Sequence, residues 1–471
     1  MNSSQRLLVI GAGPGGYSAA FNAADRGFNV TLVDRDPFLG GTCLSKGCIP
    51  SKALLHTAEV LREAQEAAKM GITFSQPHID LDKLRTWKNN ILSRLTSGLD
   101  QLCKQRKINF IRGTAKLTGS HEAAITTPDG STIQIAFDLA ILATGTTPVT
   151  LPLLPSSPRV WDSTSALSLP CIPPSLLVIG GGYIGLELGS VYSALGTKVT
   201  VVESLPQLLN GPDRDLADIL ARCLKKEFHS ILTGTRAIRA EEVPEGIRVV
   251  LSNSQGKELS ETYSHVLAAV GRRPQTCGLG LENTAIKTDA RGFILVDKNN
   301  RTHEEGIFAI GDVAGNPLLA HKASFEAGKV IRIMAGLPCA PEEPTIPSVI
   351  FTRTQLAWAG LTEQSAKQNN IPVTVSRFPW AANGRALTMN RPEGVTKIIA
   401  DPDNRRILGV GIIGAGAGEL IAEGVLAIDT KMTADQLALA VHPHPTTAET
   451  LMEAAGNLWG AATVKPKTGR A

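Results

Sequence analysis

Two copies of one pattern, the first at the start of the chain and the second near residue 175, limit what this sequence can fold into. In the first, the apolar run Leu7-Leu8-Val9-Ile10 feeds Gly11-Ala12-Gly13-Pro14-Gly15-Gly16, a helical stretch follows from Tyr17 to Arg26, and a second run, Asn29 to Val33, ends in Asp34. In the second, Leu176-Leu177-Val178-Ile179 feeds Gly180-Gly181-Gly182-Tyr183-Ile184-Gly185, and a strand from Lys198 to Val202 ends in Glu203. Continuous apolar runs of this kind belong to buried parallel strands. The first glycine of each turn makes the tight bend, the second lets backbone approach a pyrophosphate, and the third lets helix and strand pack closely. The terminal acid is placed to accept hydrogen bonds from a ribose diol. The duplication predicts an α/β chain with two Rossmann-like dinucleotide-binding units, and two such units predict electron traffic between two cofactors. Glu203 should favour a free 2′-hydroxyl and repel a 2′-phosphate, which predicts NAD rather than NADP.

A third stretch lies within a few residues of the first fingerprint: Gly40-Gly41-Thr42-Cys43-Leu44-Ser45-Lys46-Gly47-Cys48-Ile49-Pro50-Ser51-Lys52. An ideal helix separates residues i and i+5 by at least ~7.5 Å of rise, beyond the roughly 7 Å Cα limit for a disulfide, so pairing here requires a distorted first turn. Gly47 supplies that freedom, Pro50 suits an early helical position, and Ala53-Leu54-Leu55 begin an apolar-periodic helix. Near that helix's N-terminus Cys48 would be favoured as a thiolate. Two buried cysteines that merely fall close together are the alternative. Proximity to the fingerprint argues instead that the thiols and the bound dinucleotide belong to one site.

At 471 residues the chain is too long for one hydrophobic core and suggests about three domains. Its 45 glycines, with only 4% aromatic residues, fit many tight strand-to-helix turns. A net charge of +4 over this length predicts no nucleic-acid surface. No apolar run reaches the roughly 20 residues of a bilayer span. The polar Met1-Asn2-Ser3-Ser4-Gln5-Arg6 runs into a strand without a secretory leader, so the expected location is cytoplasmic. Seven scattered cysteines form no secreted disulfide framework, and a persistent Cys43–Cys48 pair in a reducing compartment would be catalytic.

Further along, Ala53 to Arg106 reads as long polar helices, Phe110 to Thr114 as a strand, and Ile125 to Phe137 as a hairpin turning at Pro128-Asp129-Gly130. Leu139 to Gly145 is an apolar strand that should rejoin the first sheet, and Pro148, Pro152, Pro155 and Pro158 mark a linker. Val266 to Val270 ends at Gly271-Arg272-Arg273-Pro274, again a strand before a linker. Gly306 to Asp312 is a strand whose last glycine brings Asp312 near a ligand, or else Asp312 caps the helix that begins near Ala320. From Pro344 the chain changes to short strands and two later helices, Gly418 to Ile428 and Thr433 to Val441. It then reaches His442-Pro443-His444-Pro445-Thr446-Thr447-Ala448-Glu449, where a histidine five residues before a glutamate can serve as a base with its orienting carboxylate. A helix-capping histidine is the simpler reading, and metal ligation by His442 and His444 lacks a third ligand nearby.

Together these residues resemble the flavin-dependent pyridine nucleotide–disulfide oxidoreductases over essentially the whole chain, and within them the branch that oxidises dihydrolipoyl groups. Gly40 to Lys52 is similar to the redox motif, Gly311-Asp312 to the second flavin motif, and His442 to Pro445 with Glu449 to the C-terminal catalytic segment. Pro347 to Thr352 and Phe378 to Ala382 are similar to the interface domain. The resemblance implies an FAD-binding domain over 1–147, an NAD-binding domain over 148–271, a central domain over 272–343 that completes the FAD site, and an α+β dimerisation domain over 344–471. It implies FAD along Gly11, Gly13, Gly16 and Asp34, with Lys52 near the flavin ring and paired to Glu187, and Asp312 on the ribitol. NAD would lie along Gly180, Gly182, Gly185 and Glu203, closed off by Gly271-Arg272. Gly41, Thr42, Ala115, Thr144, Gly145, Gly311, Ala320, His321, Tyr183, Ile184 and Ala237 complete the implied cofactor-binding set, with no metal. His444 and Glu449 would come from the opposite subunit of an obligatory homodimer. A lipoylated acyltransferase or H-protein, from a 2-oxo acid dehydrogenase or glycine cleavage assembly, would bring the substrate.

In the implied reaction His444, oriented by Glu449, takes a proton from a dihydrolipoyl dithiol. The thiolate attacks Cys43, Cys48 is released as a thiolate, and electrons pass through FAD to NAD+. Ser45-Lys46 stands where the family more often has Asn and an apolar residue, so Lys46 should sit by the pair and depress a thiol pKa. Tyr183 either gates nicotinamide entry or packs in the core. Among rivals, glutathione reduction is opposed by Glu203, and mercuric ion reduction by the lack of any cysteine after Cys339. Reduction of a different small disulfide is a further rival. So is a non-catalytic flavoprotein subunit, which the intact set of Cys43, Cys48, His444 and Glu449 opposes.

Overall fold

The computed structural model describes residues 5–338 and 344–459; Met1 to Ser4, Cys339 and the C-terminal twelve positions from Gly460 lie outside them. β1 (Arg6–Ile10) runs into α1 (Pro14–Ala24) and β2 (Asn29–Asp34), followed by α2 (Gly41–Lys46), α3 (Cys48–Glu66), α4 (Leu81–Gln105) and β3 (Asn109–Arg112). β4 (Thr114–Gly119), β5 (Glu122–Thr126) and β6 (Thr132–Ala136) make a separate antiparallel sheet before β7 (Leu139–Leu142) and β8 (Thr146–Pro148). Next come β9 (Val160–Trp161), α5 (Ser163–Ser168), β10 (Ser175–Ile179), α6 (Tyr183–Ala194), β11 (Lys198–Val202), α7 (Arg214–Leu224) and β12 (Ser230–Leu232). An antiparallel trio, β13 (Thr235–Val243), β14 (Gly246–Asn253) and β15 (Glu258–Tyr263), precedes β16 (His265–Ala268), β17 (Arg272–Pro274), β18 (Ile307–Ala309) and α8 (Ala320–Met334).

The two fingerprint strands occupy the centres of two five-stranded parallel sheets, ordered β18-β7-β1-β2-β3 and β12-β11-β10-β16-β9. β1 pairs with β2 on one side and β7 on the other, Leu8 lying opposite Thr31 and Ala140. β10 stands likewise between β11 and β16. Where neighbours leave a central strand in both directions, a crevice opens beyond its C-terminal end. Leu7 and Val9 pack against α1 and α8 through Ala19, Ala20, Ala327 and Val330, whereas Leu8 and Ile10 pack on the other face with Leu117 and Ile125. Both faces of β1 are therefore covered, which is why its sequence does not alternate. β7 rejoins the first sheet as the sequence predicts, but the strand that completes it, β18, arrives only after the whole second unit. β8 and β17, read as linkers, pair antiparallel where the chain leaves the first unit and returns.

The C-terminal unit contains β19 (Ser348–Ile350), β20 (Gln355–Gly360), α9 (Glu363–Gln368), β21 (Thr374–Pro379), α10 (Gly384–Thr388), β22 (Val395–Ala400) and β23 (Ile407–Gly414). α11 (Ala417–Asp429), α12 (Ala434–Leu439) and α13 (Glu449–Gly456) follow, and the five strands form one antiparallel sheet, β19-β20-β23-β22-β21. Trp380 fills its core and donates its indole N–H to Thr396 Oγ1 at 3.0 Å. Among the described residues no helix is long and apolar enough to cross a membrane.

Candidate functional site

Gly47 separates α2 from α3 with φ −149° and ψ −111°. A Cβ at this position would meet the Thr42 carbonyl oxygen at 3.0 Å. Two helices broken at a glycine, rather than one helix with a distorted turn, bring the sulfurs together. Both are thiols, and the Cys43 S–H donates to Cys48. That hydrogen bond, assisted by the Lys52 ammonium against burial and Glu187, lowers Cys48 to about 7; the amide of Cys48 itself, at the start of α3, adds less. The same bond and burial push Cys43 well above the ordinary thiol range. Lys46 is engaged by Asp36, Nζ lying 2.9 Å from Oδ2, whereas Lys52 is the cation among the leading influences on both thiols.

Lys52 is paired with Glu187 from α6, a carboxylate only 3% exposed. Glu187 accepts from Lys52 Nζ at 2.9 and 3.1 Å, from Ser51 Oγ at 2.8 Å, and from the Phe351 backbone N–H at 3.0 Å. A buried anion with four donor contacts is satisfied.

These groups face a cleft at the C-terminal ends of β1 and β7. It is also lined by Gly11, Gly13, Asp34, Gly41, Thr42, Ala115, Thr144, Gly145, Gly311, Asp312 and Ala320. Gly16 stands behind it, where a Cβ would fall 1.7 Å from the Gly11 carbonyl oxygen, so only glycine seats α1 on β1. Asp34 accepts the Ala12 and Asp36 amides at 2.6 and 2.9 Å, tying the acid to the glycine turn, while burial pushes its carboxyl up. Asp312 is not a helix cap, since α8 starts after Leu319; its Oδ2 accepts the Thr146 hydroxyl at 2.7 Å. Two side chains stand elsewhere than expected. Arg272 faces this cleft rather than the second, its Nε donating to Thr146 Oγ1 at 2.8 Å. The His321 ring is engaged outside it, Nε2 lying 2.7 Å from the Pro347 carbonyl oxygen.

A second cleft is lined by Gly180, Gly182, Tyr183, Ile184, Glu203, Ala237 and Gly271. Gly185 repeats the packing of Gly16, with a Cβ placed 2.2 Å from the Gly180 carbonyl oxygen. Glu203 accepts the Gly181 and Leu205 amides at 2.7 and 2.8 Å, the counterpart of Asp34 on its own turn. Tyr183 lines both clefts and is 39% exposed, which excludes core packing. α1 and α6 begin at Gly13 and Gly182 with no side chain capping their first amides, whereas Asp80, Asp162 and Thr362 cap α4, α5 and α9. A Cβ at Gly13 or Gly182 would meet nothing within 4 Å. Open backbone with uncapped donors fits a dinucleotide pyrophosphate in each cleft.

His444 and Glu449 are brought together, Nδ1 to Oε1 at 2.8 Å, and the Thr446 amide donates to Oε2 at 2.8 Å. Burial is the largest influence on Glu449 and pushes it up, but the Thr446 amide and His444 outweigh it and hold the carboxyl below the usual range. The His444 side chain is 79% exposed, and among the described residues none after Ala323 lines the cysteine cleft. His444 is thus not among the residues that line its own chain's cysteine cleft. His442 is separately engaged at both ring nitrogens, by Glu423 Oε1 and the Ala440 carbonyl, each at 2.8 Å.

The sequence reading missed Thr146, Glu326 and Phe351. Thr146 joins Asp312 to Arg272, and Glu326 accepts the Gly311 amide at 2.7 Å. Thr146 was within reach, one residue beyond Thr144-Gly145; a main-chain donor such as Phe351 leaves no signal in residue type.

The profile of the pyridine nucleotide-disulphide oxidoreductase family matches residues 5–327, and that of its dimerisation domain matches residues 346–455. The dihydrolipoyl dehydrogenase of Vibrio cholerae is 42% identical over 463 residues, covering 98% of this chain and 97% of that protein. That of Thermus scotoductus is 44% identical over 451 residues, covering 95% and 96%. The crystal structure of LpdA from Mycobacterium tuberculosis superposes with a TM-score of 0.90 at 26% identity, covering 96% of this chain and 99% of that one.

Proposed function

The chain belongs to the pyridine nucleotide-disulphide oxidoreductases, and we propose that it acts as a dihydrolipoyl dehydrogenase, reoxidising protein-bound dihydrolipoyl groups and giving NADH. FAD and NAD are its cofactors. One observation carries the reading: the Cys43–Cys48 pair lines the same cleft as the first fingerprint, in a chain similar to dihydrolipoyl dehydrogenases over nearly its full length.

His444 is the base. Glu449 holds Nδ1, which leaves Nε2 to take a proton from the substrate dithiol. The substrate thiolate attacks Cys43 Sγ of the oxidised pair, a mixed disulfide forms, and Cys48 leaves as a thiolate, a departure favoured by the Lys52 ammonium. The second substrate sulfur then displaces Cys43, giving the lipoyl disulfide and the Cys43–Cys48 dithiol. When bound, FAD supplies the two-electron relay from dithiol to NAD+ that no side chain can. Gly11, Gly13, Gly41, Thr42, Thr144, Gly145, Gly311 and Asp312 would hold it, with Lys52 and Glu187 near its ring; Gly180, Gly182, Glu203 and Ala237 would hold NAD, and Tyr183 would gate the passage between.

The exposure of His444 away from the lining of its own cleft, with a dimerisation-domain match over residues 346–455, supports a homodimer in which each subunit lends its base to the other. The same reading divides the chain at 147, 271 and 343. It makes the partner a lipoylated acyltransferase or H-protein and the location cytoplasmic. Steady-state turnover tests it: NAD+ reduction by dihydrolipoamide should far exceed NADH-dependent reduction of glutathione or coenzyme A disulfides, and Cys43→Ser should abolish it. The reverse preference would assign another small disulfide.

A further inference from the structure

Phe351, immediately after β19, reaches the Lys52–Glu187 pair from the C-terminal unit with two different groups. Its ring lies beneath the Lys52 ammonium, 4.4 Å from Nζ to the centroid, and its backbone N–H donates to Glu187 Oε1 at 3.0 Å. The π face supports the cation, and the amide takes up part of the anion's charge. The two members of the pair pull the neighbouring sulfur in opposite directions: Lys52 favours a thiolate at Cys48 and Glu187 opposes it. The amide weakens the pull of the anion, and the ring holds the ammonium in place beside the pair. Cys43 from α2, Tyr17 from α1 and Tyr183 from α6 also interact with Cys48. None of these belongs to the C-terminal unit.

We infer that Phe351 is a positioning residue through which the C-terminal unit sets the thiolate population of the redox pair, acting by way of Lys52. The inference rests on Cys43 and Cys48 being the reactive pair and is independent of which thiol the enzyme oxidises.

Phenylalanines carrying one, two and three ring fluorines at position 351 weaken the π face stepwise while keeping shape and backbone amide. In each dithiol-reduced holoenzyme the charge-transfer absorbance of the Cys48 thiolate is titrated against pH. The midpoint should climb with each fluorine, by about half a unit in all, a roughly threefold loss of thiolate. Phe351→Leu should climb at least as far, and Phe351→Tyr should stay near the native value. Identical midpoints across the fluorinated series overturn the inference, whatever the leucine variant does. A native holoenzyme with no titrating thiolate band is a different outcome, and it removes the redox-centre reading itself.

Discussion

Lys46 and Asp36 form an ion pair across the turn into α2, Nζ to Oδ2 at 2.9 Å, so the extra cation between the two cysteines is neutralised before it reaches them. Lys52, on the first turns of α3, is the cation the sulfurs feel. Lys46→Val should therefore leave the Cys48 titration within about 0.3 unit of native, whereas Lys52→Met should raise it by about one unit or more. Equal shifts in the two variants would show that the ion pair with Asp36 does not hold in solution.

His444→Gln should lower kcat by about 10²- to 10⁴-fold, the usual worth of a general base. Glu449→Gln should cost less, since the histidine stays and only its orientation loosens. The folded-state pKa of Glu449 lies below its unfolded value. Its contribution to stability is thus present above the ordinary glutamate pKa and disappears as pH falls through the lower folded value. The difference in Tm between native protein and Glu449→Gln should be present at neutral pH and vanish toward strongly acid pH; a difference that grows on acidification would reverse the assignment.

If each subunit lends its histidine to the other, two dead enzymes can repair each other. Neither Cys43→Ser nor His444→Ala should turn over alone. Random remixing of their subunits should restore about a quarter of native activity, because half the dimers are mixed and each carries one complete site. No recovery after verified exchange would place cysteine and histidine in the same subunit.

Lys397 is 1% exposed and lies among Asp213 and Asp215, each at 2.8 Å, and Glu363, joining the C-terminal sheet to α7. Lys397→Met leaves three carboxylates, Asp213 without a cation and Asp215 and Glu363 with only Arg377, and should destabilise the protein by about 3–5 kcal/mol at neutral pH. The deficit should shrink as pH falls and the acids protonate. In the native protein burial disfavours the charged lysine, but the three acids outweigh it and raise the ammonium. Its contribution is therefore complete below the ordinary lysine pKa and lost only as pH rises through the raised value. Urea unfolding of both proteins across pH measures this.

Strands and turns were legible in the sequence because their causes are local. Leu7 to Gly16 dictates a buried strand, a tight turn and a close helix, and Leu176 to Gly185 does so again. Gly47 was legible as the point where the helix must yield. Long polar side chains were not, because their destinations are set by neighbours distant in sequence: Arg272 turned to Thr146, His321 to Pro347, and Lys46 to Asp36. The spacing of His444 and Glu449 gave their hydrogen bond, but not that the pair would stand apart from the cysteines of its own chain. Phe351 acts through an amide and a ring face, and neither is marked by residue type at a motif position.

Anaerobic addition of dihydrolipoamide to the yellow holoenzyme addresses the central claim, that electrons enter at the Cys43–Cys48 pair and leave as NADH. An equimolar amount should raise a long-wavelength thiolate–flavin band, and NAD+ should discharge it with an equal yield of NADH. A preparation that holds no flavin, or a Cys43→Ser or Cys48→Ser enzyme that still turns over lipoyl substrate, would contradict the account.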